Sequence, residues 1–227
     1  MKSQLKLFDI PFNICNEQQL YQESCDFLEE FALYTIFFVA AEQCIYMSEA
    51  NEQIISKEQT IWVPGDDALR SLLPKRERHD LGDFSVRRYI MQMCEYAVDM
   101  GLDICFLMEN EKDLDFVIHG VRKSFPYLAI HGLHLEMMQS AEMMVNEINS
   151  IAPEILILGI HTGELRRYME YDRSKTNARL CICVGNLLID EMSKKNKLFH
   201  TITMSRRLKK RLHKYSKGTK RDEGIRK

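Results

Sequence analysis

A chain of 227 residues, 45% hydrophobic and 28% charged, carries enough apolar material for one sizeable α/β core or two small ones. No apolar run approaches the roughly 18 residues that cross a bilayer, and Met1-Lys-Ser-Gln-Leu-Lys is followed by no long apolar stretch, so neither a membrane span nor a secretory signal is expected. The net charge of −2 hides a split: residues 194–227 carry +12 and the remainder −14, which points to an anionic partner for the tail.

The chain opens with an extended stretch over residues 6–10 that continues to Phe12. Residues 17–32 place Leu20, Tyr21, Phe27, Leu28 and Phe31 at helical spacing. The run Tyr-Thr-Ile-Phe-Phe-Val-Ala-Ala over 34–41 is apolar and β-rich, a central strand, and 42–56 return to a helical pattern. A short strand over 60–63 stops at Pro64-Gly65-Asp66-Asp67. A long helix follows over 83–100, its apolar stripe built from Phe84, Val86, Ile90, Met93, Cys94 and Ala97, and Gly101 ends it. The second half repeats the rhythm: strand 103–108, helix 112–125, strand 127–132, helix 140–151, a break at Pro153, strand 155–158, helix 164–171, and strand 179–184 ending at Gly185. Strands alternating with helices predict an α/β, Rossmann-like, mostly parallel sheet with helices on both faces over 1–193. A basic helical appendage occupies 194–227, with its last residues, 217–227, disordered. Seven cysteines without metal-type spacing read as reduced, buried thiols; Cys181 and Cys183 alternate on one strand and share a face.

The segment from Glu154 to Met169 is the most informative. A solid apolar run breaks at Gly159, passes His161-Thr162-Gly163, and enters a charged helical pattern from Glu164. In open α/β sheets such a turn lies at the carboxyl end of a strand, where ligands bind. Its glycines allow close backbone approach to a diphosphate, or they form a simple strand–helix turn. His161 can donate to a phosphate or sugar hydroxyl, or is an ordinary loop histidine. Arg166 and Arg167 either pair with a phosphate or line a solvated helix face. Asp66 and Asp67 follow a strand and open a helix, where a carboxylate serves as general base or simply as an N-cap. His131, His134 and Glu136 lack the spacing of a metal site, and no metal or other cofactor is expected. Met137, Met138, Met143 and Met144 read as core or interface packing.

The order of segments resembles the WecG/TagA/CpsF family of bacterial glycosyltransferases (glycosyltransferase family 26). The opening Leu7-Phe-Asp-Ile-Pro-Phe-Asn13, the strand end Val39-Ala-Ala-Glu42, the proline turn Val63-Pro-Gly-Asp-Asp67, and Arg122-Lys-Ser-Phe-Pro126 match its landmarks in order. Met144-Val-Asn-Glu-Ile-Asn149, the Pro153 to Met169 block and Cys183-Val-Gly-Asn186 continue the match. The chain departs from the family pattern at Phe38 and Ala40 (threonine and asparagine there), at the transposed Pro64-Gly65-Asp66, at Glu109-Asn110 (paired glycines there), and at the replaced Gln-Glu pair after His161.

The resemblance implies transfer of an N-acetylhexosamine from a UDP-sugar to a polyprenyl-diphosphate-linked acceptor, by inversion, in cell-surface polysaccharide synthesis. It implies a catalytic Asp66, with Glu42, Asp67, Gly159, His161, Thr162, Gly163, Arg166, Gly185 and Asn186 around the donor. It also implies a cytoplasmic protein peripheral to the inner face of the membrane. The tail's Arg206, Arg207, Lys209, Lys210 and Arg211 would meet the anionic surface and the lipid diphosphate, with Leu198, Phe199, Ile202, Leu208 and Leu212 as the apolar stripe of a surface helix. No nucleic-acid motif accompanies the basic tail, so nucleic acid is not expected as a partner. Self-association stays open. The departures carry an alternative: a catalytically degenerate relative that serves as a partner or scaffold subunit of an active glycosyltransferase.

Overall fold

A computed structural model describes residues 4–8, 10–30, 32–49, 59–193 and 203–213. Eight strands form one sheet in the order β1-β2-β4-β3-β8-β7-β5-β6. They are β1 Gln4–Leu7, β2 Ile10–Asn13, β3 Tyr34–Val39, β4 Thr60–Pro64, β5 Ile104–Met108, β6 Ile130–His134, β7 Ile155–Gly159 and β8 Leu180–Cys183. Every pairing is parallel except β1 with β2. The single extended opening expected from the sequence is therefore two strands, turned back at Phe8, which takes a positive φ of 52°. An antiparallel strand at one edge is a common finish for an otherwise parallel sheet.

The central strands explain the solid apolar runs. All five residues of β5 and of β7 are buried, as are all four of β8. Strands covered on both faces need apolar side chains at every position, not at alternate ones. The covering helices are α1 Glu17–Glu29, α2 Ala41–Glu49, α3 Asp67–Arg70, α4 Lys75–Leu81, α5 Val86–Met100, α6 Glu111–Ser124, α7 Ala141–Ile151, α8 Thr162–Arg167 and α9 Leu187–Met192. Right-handed crossovers put α1, α5 and α6 on one face, where α9 joins them, and α2, α7 and α8 on the other. Local signals set the boundaries. Asn16 and Gln19 form a reciprocal capping box on α1. Ser85 caps α5, so that helix starts at Val86 and not at Asp83. Gly101 ends it in the left-handed region at φ 65°. The Ser24 and Tyr89 hydroxyls, 2.7 Å apart in the core, tie α1 to α5.

Three elements differ from expectation. Helices α4 and α9 carry short apolar signals and were not expected. After α8 the chain loosens into a π-helical turn, Tyr168–Asp172, packed against α7. All seven cysteines are buried and unbridged, and the Cys181 and Cys183 sulfurs sit 3.9 Å apart.

The basic tail folds back. A tenth helix, α10, spans residues 203–213. Met204 and Leu208 are buried in the core and Leu212 packs against it, so these apolar side chains cover the protein and do not face lipid. This corrects the expected membrane-facing stripe; Leu198, Phe199, Ile202 and the expected disorder over 217–227 lie outside the described residues. The cations Arg206, Arg207, Lys209 and Lys210 stay exposed, with Arg211 half-buried.

Leu208 is 0% exposed. Leu208→Ala should cost about 2–4 kcal/mol in urea unfolding. A change below about 0.5 kcal/mol, the size typical of a surface position, would show that α10 is not docked.

Candidate functional site

The carboxyl ends of β3, β4, β7 and β8 open into one cleft of about 950 Å³. Each wall begins where a strand gives way to a turn. At the end of β3, Ala40 precedes α2, and the Gln43 side chain reaches back so that its Oε1 accepts the Ala40 N–H at 2.7 Å. At the end of β4 the Gly65 N–H donates to the Val39 carbonyl at 2.7 Å. A Cβ on Gly65 would stand 2.4 Å from Leu187 Cδ1 and 3.0 Å from the Val39 oxygen, so glycine is required by close approach.

Asp66 is next, half-buried on the cleft wall. Its Oδ1 accepts the Leu69 N–H at 2.8 Å and caps α3. Its Oδ2 accepts the Ala41 N–H at 2.7 Å and so caps α2 as well. One carboxylate serves two helix starts. Burial pushes the Asp66 carboxyl above its ordinary value, against the lowering effect of the two N–H groups and of Arg70. Each oxygen accepts one backbone hydrogen bond and keeps a second lone pair for an incoming hydroxyl.

Arg70 holds the turn from behind. Its guanidinium donates to the carbonyls of Pro64 at 3.1 Å, Gly65 at 3.3 Å and Phe84 at 2.6 Å, and lies over the Phe84 ring. Glu191 of α9 fixes the opposite wall. Its carboxylate accepts from the Ser85 hydroxyl at 2.6 Å and from the N–H groups of Arg87 at 2.9 Å and Val86 at 3.3 Å, which closes the start of α5.

Eight of the sequence candidates line this cleft together: Glu42, Asp66, Asp67, His161, Thr162, Gly163, Gly185 and Asn186. Two do not. Gly159 is the buried last residue of β7, where a Cβ would collide with the Met108 thioether at 2.5 Å. Arg166 turns along α8 toward Glu170, 3.9 Å away, and Arg167 pairs with Glu164 at 2.8 Å. Gly163 has open space around its missing Cβ, so it widens the cleft without being needed for backbone approach. Gly185 is needed: its φ is 50° and the Gln43 amide lies against it. The backbone N–H of His161 donates to the Glu109 carboxylate at 2.9 Å. His131 and His134 point to opposite faces of β6. His131 meets Asp103 at 3.2 Å, at the end of the sheet away from the cleft.

Helix α10 borders the site. The Ser205 hydroxyl lies 3.1 Å from that of Ser71 and 3.4 Å from the carbonyl of Ala68, which lines the cleft. Helix α10 thus packs on α3, one wall of the cleft that holds Asp66, and keeps its cations exposed.

Compared with known protein families, residues 5–198 match the description "Glycosyl transferase WecG/TagA/CpsF family". The chain belongs to the WecG/TagA/CpsF glycosyltransferase family. Comparison with curated proteins returns no match. The match spans the whole cleft and, apart from Gln4, all eight strands, and glycosyl transfer is the activity of the family. Within it, Phe38, at the family's threonine position, is buried against Phe84 and Tyr89, with ring centroids 5.6 and 5.3 Å away. Ala40, at the asparagine position, lines the cleft without a polar side chain.

Sequence reasoning missed Gln43, Tyr46, Arg70, Ser85 and Glu191. Gln43 left a local trace, three residues after Ala40, where a capping box places its glutamine, and Ser85 left one as a serine before a helical run. Arg70 and Glu191 act through contacts between separate segments.

Because the folded-state value of Asp66 is raised, its protonated form favours the folded chain. That contribution is present at low pH and lost as pH rises through the folded-state value. From about pH 4 to about pH 8, wild type should lose stability relative to Asp66→Asn, read from urea midpoints at each pH. A pH-independent difference would show that Asp66 is not held in a proton-favouring site.

Proposed function

We propose that the protein transfers an N-acetylhexosamine from a UDP-sugar to a polyprenyl-diphosphate-linked acceptor, with inversion, at an anionic membrane surface during cell-surface polysaccharide synthesis. One observation carries this reading: a half-buried carboxylate, Asp66, stands in a cleft of about 950 Å³, and a basic helix packs through Ser205 on the α3 segment that forms one of its walls. A cleft of this size suits a nucleotide-sugar. In the proposed step the acceptor hydroxyl oxygen attacks the anomeric carbon and forms the new glycosidic bond. Asp66 takes the hydroxyl proton, the bond from the anomeric carbon to the diphosphate breaks, and UDP leaves with its electron pair. The raised proton affinity of Asp66 suits a base that must hold that proton.

Tyr46, 47% exposed on the cleft wall, offers a ring face for the uracil or the sugar. Glu42, Asp67, His161, Thr162, Gly163, Gly185 and Asn186 surround the donor in this reading. Arg206, Arg207, Lys209, Lys210 and Arg211 meet the membrane by charge alone, since the apolar side of α10 covers the protein. No helix among the described residues is long and apolar enough to cross a membrane, which fits peripheral attachment at the cytoplasmic face.

One observation favours the second reading, a degenerate relative that supports an active glycosyltransferase. Glu109 places its own carboxylate on the His161 N–H, at the turn where a donor phosphate would be expected.

Purified protein mixed with UDP-N-acetylmannosamine or UDP-N-acetylglucosamine and a polyprenyl-diphosphate acceptor analogue should release UDP. Asp66→Asn should lower that turnover about 10²- to 10⁴-fold while UDP still binds. Absence of turnover in the wild type, with cellular polysaccharide unchanged by Asp66→Asn and abolished by removal of the protein, would establish the second reading instead.

Sedimentation with vesicles should show binding to anionic lipid that weakens with salt. Each of Arg206→Glu, Arg207→Glu and Lys210→Glu should remove about 1 kcal/mol or more of that binding. Equal binding to neutral vesicles would refute a charge-driven contact.

A further inference from the structure

The first turn of α2 holds a hydrogen-bond donor that the fold leaves unused. Gln43 is only 6% exposed, yet it lines the cleft. Its Oε1 accepts the Ala40 N–H, which identifies the other carboxamide atom, Nε2, as the NH₂ group. That group lies against the β8–α9 turn, where a Cβ on Gly185 would stand 3.2 Å from it. It donates to no acceptor among the described residues. The rest of the Gln43 side chain is packed, so this NH₂ opens to the cleft, where a ligand acceptor can take it in place of water.

Two backbone groups share the position. The N–H groups of Glu42 and Gln43 belong to the first turn of α2 and have no acceptor within that helix. They find none elsewhere among the described residues, whereas the Ala41 N–H is taken by Asp66. All three groups donate and none accepts, and α2 turns the positive end of its dipole toward them. This combination selects an oxyanion over a neutral carbonyl.

Resting on the nucleotide-sugar reading above, we propose that the start of α2 holds the donor diphosphate, with Gln43 Nε2 and the N–H groups of Glu42 and Gln43 contacting its phosphoryl oxygens. Asp66 already occupies the β4 side of the same helix start, and two anions do not share one side. The diphosphate therefore lies on the β8 side, over Gly185, where a side chain would also be in the way. The sugar then extends from that position toward Asp66.

Two variants test this. Gln43→Glu keeps an oxygen for the Ala40 N–H, and glutamate suits the capping position equally, but both N–H donors are lost. Gln43→Leu removes the donors without adding charge. Titration calorimetry with UDP, inorganic pyrophosphate and uridine separates the two halves of the nucleotide. UDP and pyrophosphate affinity should fall at least about tenfold in Gln43→Glu and about three- to tenfold in Gln43→Leu. Uridine binding and the thermal midpoint of Gln43→Glu should stay at the wild-type level. Unchanged UDP and pyrophosphate affinity in both variants, beside normal wild-type binding, would overturn the role of Gln43 and leave the nucleotide-sugar reading standing. An equal loss for uridine would assign Gln43 to the nucleoside or the fold and overturn it too. A wild type that binds neither UDP nor pyrophosphate would sink the nucleotide-sugar reading and this inference with it.

Discussion

A single carboxylate organises the working end of this protein. Asp66 accepts the first N–H of α2 with one oxygen and the Leu69 N–H of α3 with the other. Those two helices leave neighbouring parallel strands, β3 and β4, so the contact fixes two strand–helix turns against each other. Around it the same logic repeats with other residues. Gly65 donates to Val39 across the strand ends, Arg70 gathers three carbonyls behind the turn, and Glu191 closes the start of α5. The cleft is thus a set of helix starts whose backbone groups are mostly satisfied from within the chain. The few left open, at Glu42 and Gln43, become conspicuous for that reason.

This arrangement bears on the departures from the family pattern. Phe38 gives up a polar group at the end of β3 and fills the core against Phe84 and Tyr89. Glu109 brings a carboxylate to the β7–α8 turn. Phe38 thus removes a polar group on the β3 side, where α2 begins, while Glu109 adds one at the β7–α8 turn.

The fold was largely legible because its signals are local. Buried parallel strands announce themselves as unbroken apolar runs, and Asn16, Ser85 and Gly101 mark helix ends by their own chemistry. The cleft candidates were legible by a topological rule: residues that follow strand ends gather on one side of a parallel sheet. Glu42, Asp66, His161 and Gly185 meet for that reason. Gly159 and Arg166 fall outside because the strand end is buried under Met108 and the helix turns its arginine to Glu170. What stayed hidden depends on contacts between distant residues. Nothing local tells that Glu191 caps a helix more than a hundred residues earlier, or that Arg70 reaches Phe84. The tail misled for a related reason. An apolar stripe among cations looks the same whether it faces lipid or protein, and here Leu208 faces protein.

The central claim is that one cleft, bounded by the starts of α2, α3 and α9, is where the nucleotide-sugar binds. Amide hydrogen exchange with and without UDP tests it most directly, because exchange reads each turn separately. The account predicts slower exchange at residues 41–44 and in the β8–α9 turn around Gly185 when UDP is present, with α6 and β6 unchanged. Protection confined to residues outside the cleft, or none at saturating UDP, would contradict it.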